Sequence, residues 1–135
     1  MKTNKRVFFM ALAIILFEGC DKKGPDPTHP LVGTWIFKSY VDANCTDPLD
    51  NDSGTCSADC EKLIFKSDKT GTIDYVDPTD TDENFTYTIT NNKISVCFNT
   101  TNCEELTFTI SGSTLSLSYD DPDLGCKSTV TYQKQ

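Results

Sequence analysis

From Leu31 onward, apolar side chains recur at every second residue, segment after segment. No segment of useful length in this region shows the 3.6-residue period of a helix. A period of two sends successive side chains to opposite faces, so each such segment reads as a half-buried strand. Leu31–Val41 places Trp35 and Phe37 on one face, Lys62–Lys66 does so with Leu63 and Phe65, and Thr70–Val76 with Ile73 and Tyr75. Asn84–Thr90 alternates Phe85, Tyr87 and Ile89, and Lys93–Phe98 alternates Ile94, Val96 and Phe98. Glu105–Ile110 carries Leu106, Phe108 and Ile110, Thr114–Tyr119 carries Leu115, Leu117 and Tyr119, and Lys127–Gln133 carries Val130 and Tyr132. These are eight strands, with threonine, serine and lysine mostly on the opposite face.

The connections alternate as regularly as the side chains. Ser67-Asp68-Lys69, Asn91-Asn92 and Ser111-Gly112-Ser113 are short and polar, as tight hairpins require. Between them lie the longer links Asp42–Glu61, Asp77–Glu83, Asn99–Glu104 and Asp120–Cys126. In an up-and-down meander, alternate connections fall at opposite ends, so one end has tight turns and the other has long loops. A meander with one apolar face must hide its edge strands, and closure removes them. The expectation is an all-β fold, an eight-stranded antiparallel up-and-down barrel, with a two-sheet sandwich as the alternative.

The N-terminus has a different character. Met1–Arg6 carries three positive charges, and Val7–Phe17 follows as an unbroken apolar run. Eleven residues are too few to cross a bilayer, which takes about 20. A basic start, a short apolar run and the small Gly19 before Cys20 form the pattern of an export signal ending at a lipidated cysteine. An ordinary cleaved signal with a coincidental cysteine is the competing reading. The domain organisation expected is a lipoprotein signal peptide over 1–19, the lipidated Cys20 with a Pro-rich flexible tether over 20–30, and one β domain over 31–135. Removing Lys2, Lys5, Arg6 and Glu18 takes the 12 basic and 20 acidic side chains to 9 and 19, and leaves no arginine. A chain so acidic lacks the surface that phosphate neutralisation demands, so a nucleic-acid partner is excluded.

Export makes disulfides the expected use of the six remaining cysteines, Cys45, Cys56, Cys60, Cys97, Cys103 and Cys126. Neither Cys56–Cys60 nor Cys97–Cys103 has zinc-ligand spacing, and His29, the single histidine, precedes the domain. Cys97 and Cys103 flank one connection and are expected to pair. The other four allow three pairings; Cys45 with Cys56 or Cys60 would staple the first long loop, leaving the other of those two for Cys126.

On these residues the chain resembles the lipocalins. Gly33-Thr34-Trp35 at the start of the first strand matches the lipocalin Gly-x-Trp signature, whose Trp closes the barrel floor. The Leu-Val-Gly-Thr-Trp run after a lipobox and Pro-rich tether is similar to small lipocalin-like lipoproteins of Bacteroidota, as is the Lys66–Thr72 hairpin. Two features of the family are missing: the last-strand arginine that packs on the floor Trp, and the Thr-Asp-Tyr loop motif. The resemblance implies a membrane-anchored binding protein for a small hydrophobic ligand, held in the cell envelope at the outer membrane.

An eight-stranded barrel is just wide enough for its own side chains or one small ligand. The residues expected to face such a ligand are Trp35, Phe37, Phe65, Tyr75, Phe85, Tyr87, Phe98, Phe108 and Tyr119; a fully packed interior is the alternative. Fifteen of the nineteen remaining acidic residues lie on or beside the long loops. Asp50 and Asp52, with Asp77, Asp80 and Asp82, are candidate calcium ligands, set against loops that are acidic for solubility. A filled barrel offering these stapled loops to a protein partner or calcium is the second functional reading. No enzyme activity and no cofactor are expected, because no histidine in the domain is available to build a nucleophilic triad.

Overall fold

The computed structural model describes residues 29–135; the export segment, Cys20 and the tether as far as residue 28 lie outside the described residues. Nine strands follow in order: β1 (Gly33–Ala43), β2 (Asp52–Thr55), β3 (Lys62–Phe65), β4 (Thr70–Asp74), β5 (Glu83–Thr90), β6 (Lys93–Cys97), β7 (Cys103–Ser111), β8 (Thr114–Asp121) and β9 (Cys126–Lys134). All pair antiparallel in the sheet order β2-β1-β3-β4-β5-β6-β7-β8-β9, and β9 returns to pair with β1 from Trp35↔Lys134 to Ala43↔Lys127. That pairing closes the sheet. The fold is therefore an eight-stranded barrel and not a sandwich.

The ninth strand is β2, which lies within the first long connection and falls outside the expected eight. Its residues Asp52-Ser53-Gly54-Thr55 have no apolar alternation. What makes them a strand is the edge they find. β3 covers only Gly33–Ile36 of β1, and β2 takes Ser39–Asp42 on the same side. The junction falls at a bulge in β1 between Phe37 and Ser39. There the Phe37 N–H donates to the Glu61 carbonyl at 2.9 Å, and the Cys56 N–H donates to the Lys38 carbonyl at 2.8 Å. β2 and β3 thus act as one strand with a looped-out kink, closed by the Cys56–Cys60 disulfide.

The floor is the end with the short turns. Leu31 and Trp35 are fully buried there. The Trp35 indole N–H donates to the Leu31 carbonyl at 2.8 Å. Lys134 of β9 puts its ammonium 5.1 Å from the Trp35 ring centre and donates to the Pro30 carbonyl at 2.9 Å. A last-strand lysine thus lies over the ring where the family resemblance places an arginine, which accounts for that departure. His29 stacks edge-on to Phe108 at 6.4 Å, so the end of the stretch read as tether is held against the barrel. The Tyr87 hydroxyl donates to the Lys66 carbonyl at 2.6 Å and ties the first hairpin to the core. Gly71 is required by close approach, since a Cβ there would lie 2.1 Å from the Phe85 ring and 2.6 Å from the Ile64 carbonyl.

Candidate functional site

At the opposite end, three disulfides bind the long connections. Cys97–Cys103 bridges directly opposed residues of β6 and β7, as expected. The other two correct the expected pairing. Cys45 bonds Cys126, and Cys56 bonds Cys60. The register explains this: β1 pairs β9 up to Ala43↔Lys127, which leaves Cys45 beside Cys126. The Thr46 N–H donates to the Leu124 carbonyl at 3.2 Å and reinforces the junction.

Many of the loop acids and amides are engaged in shaping turns. Asp77 accepts the backbone N–H and hydroxyl of Thr79, Asp121 accepts the N–H groups of Asp123 and Leu124, and Asn99 does the same for Thr101 and Asn102. These are Asx turns, in which a short side chain stands in for backbone. The Thr79 hydroxyl lowers the Asp77 pKa, and the Tyr40 hydroxyl, 2.6 Å away, lowers that of Asp52. Among the described residues, no three His, Cys, Asp or Glu side chains gather in a way that could hold a metal ion. Asp50, Asp52, Asp77, Asp80 and Asp82 are therefore not brought together as a ligand set.

Inside the barrel, above the floor, lies a cavity of ≈ 260 Å³. Its wall is Leu63, Phe65, Ile73, Phe85, Val96, Phe98, Leu106, Leu117, Val130 and Tyr132, and it reaches the surface at Glu104 and Tyr119. Of the residues expected to face a ligand, Phe65, Phe85, Phe98 and Tyr119 do line it. Trp35 and Tyr87 do not: they are buried core residues whose polar atoms are spent on the floor. Nor do Phe108, which packs low in β7 beside His29, or Phe37, which stacks edge-on against Tyr132 at 5.9 Å. Tyr75 lies at the rim, where burial, then Glu83, Glu61 and Asp80, raise its pKa.

Alternation identifies every apolar residue of the cavity wall but not its polar rim. Glu61 shares the inward parity of Leu63 and Phe65, and Glu104 that of Leu106 and Phe108. The Glu61 carboxylate accepts a hydrogen bond from the Tyr132 hydroxyl at 3.3 Å. Burial raises the Glu61 pKa, and the Tyr132 contact partly opposes that rise. Burial, then the neighbouring Glu61, pushes the Tyr132 phenol well above its ordinary value, so it remains a donor.

A larger hollow of ≈ 650 Å³ lies beside Thr70, Asn84, Thr86 and the Cys97–Cys103 bridge and shares Phe85 and Phe98 with the interior cavity. Its walls come from β4 to β7 and the loop after β6, whereas the smaller interior cavity is lined by every strand from β3 to β9. Enclosure, more than volume, lets a site bury most of a ligand's surface.

A closed antiparallel barrel, sealed at one end and hollow toward the other, defines a binding fold more readily than a catalytic one. Residues 31–100 match the lipocalin-like domain, and the chain belongs to that family. No curated protein and no solved structure matches it.

Proposed function

We propose that this protein is a membrane-anchored lipocalin-like lipoprotein that binds a small hydrophobic ligand in its barrel. The observation that carries the reading is the ≈ 260 Å³ apolar cavity open at the stapled end. At about 30 Å³ per water-sized atom, that volume suits a ligand of about nine non-hydrogen atoms, not a large one. The anchor rests on the basic start, the apolar run Val7–Phe17 and Gly19 before Cys20. On this reading residues 1–19 are removed, Cys20 is acylated, and the barrel stands off the outer membrane of a bacterial envelope.

Two experiments test the parts separately. Ligand extraction and mass spectrometry of the purified protein should recover a small apolar compound from the native chain and much less from Leu106→Trp, whose indole fills the cavity. Equal recovery from both would place binding elsewhere. Palmitate labelling and membrane fractionation should be lost in Cys20→Ser; a membrane-bound, labelled variant would refute the anchor.

A further inference from the structure

At its mouth the apolar cavity reaches one carboxylate directly, the exposed Glu104, and its wall residue Tyr132 touches a second, Glu61. The Cys56–Cys60 bridge closes the kink immediately before Glu61, and the Phe37 N–H holds the Glu61 carbonyl. The Glu61 side chain is half-buried and accepts from Tyr132, itself a wall residue of the cavity. Glu104 reaches the same cavity from β7.

Among the described residues no cation pairs with either. The three ion pairs among the described residues, Lys62–Asp74, Lys93–Glu105 and Lys127–Asp120, involve neither Glu61 nor Glu104. Their lysines alternate with inward residues and so project from the outer face. Lys66, Lys69 and Lys134 belong to the floor end, and Lys38 is exposed at the β1 bulge. A carboxylate withdrawn from water with only a phenol as donor gains most from a positive partner, and a ligand anion there meets repulsion.

We propose that the cavity is selective for small apolar amines, with the alkyl chain among the wall side chains and the ammonium against Glu61 and Glu104. This rests on the reading of the cavity as the ligand site and adds the head group.

The test compares n-octylamine, n-octanol and n-octanoate at neutral pH by calorimetric titration of residues 20–135 carrying Cys20→Ser, which retains every described residue. Octylamine is expected to bind about tenfold or more tighter than octanol, the size of one charge-assisted hydrogen bond, with octanoate weakest. Glu61→Gln should erase most of that ratio by weakening octylamine, and Glu104→Gln serves where that variant does not fold. Ethylamine, with the charge but no chain, should not compete. Octanol binding as tightly as octylamine would overturn the amine preference and leave the ligand reading standing. Binding by none of the three would overturn both.

Discussion

The two ends of the barrel solve opposite problems with the same strands. At the floor, short turns bring Leu31, Trp35 and Tyr87 into a sealed layer in which both polar atoms of the aromatics are satisfied by backbone carbonyls. At the mouth, long loops lie too far from the core to be held by apolar burial. There three disulfides and a series of Asx turns replace it. The floor is stabilised by what it excludes from water. The mouth is held by covalent and polar links that leave the space beneath it open. Damage at the floor should therefore be read as lost stability, and damage within the cavity as lost binding.

The largest effect is expected for Trp35→Ala. It deletes a fully buried indole with its hydrogen bond and the lysine contact, at a cost of about 3–5 kcal/mol. Urea denaturation measures it, and a loss below 1 kcal/mol would mean that the floor is not the anchor of the fold. Replacing Cys45 and Cys126 together by alanine frees a bridge spanning 81 residues of sequence and should cost about 4 kcal/mol. Replacing Cys56 and Cys60, only 4 apart, should cost about half as much. If the two pairs cost the same, the chain-entropy account of the mouth is wrong. Gly71→Val introduces atoms where Phe85 and the Ile64 carbonyl already sit, at about 1–3 kcal/mol. An unchanged midpoint would show that β4 can move away from the core at that point.

The smallest change is expected at the rim and has the opposite sign. Burial makes the folded state bind a proton at Glu61 more tightly than the unfolded state does. Ionised Glu61 therefore weakens the fold at neutral pH, and the penalty disappears as pH falls through its raised folded-state value. Glu61→Gln should raise the melting temperature at pH 7, and the gain should vanish at acidic pH. A gain that grows on acidification would reverse the assignment.

The floor was legible because its instructions are local. Gly33-Thr34-Trp35 and the strict alternation identify which residues face inward, and hairpin lengths say which end is which. The mouth was less legible because its instructions are relational. Pairing Cys45 with Cys126 requires the β1–β9 register, which belongs to no single segment. The strand character of Asp52–Thr55 comes from an edge left vacant by β3 and from Tyr40 covering Gly54, not from any propensity of its own. Alternation also gave the inward faces of Phe65, Phe85 and Phe98 without saying how much space their side chains leave between them. Glu61 and Glu104 carry inward parity, but a carboxylate in an alternating pattern marks solvent as readily as a cavity mouth.

The division between a sealed floor and a hollow mouth is tested most directly by mapping amide chemical shifts during an n-octanol titration. Shifts concentrated at Phe65, Phe85, Phe98, Leu106 and Tyr119, with Leu31 and Trp35 unmoved, are the predicted result. Shifts centred on the floor, or none at saturating octanol, would contradict it.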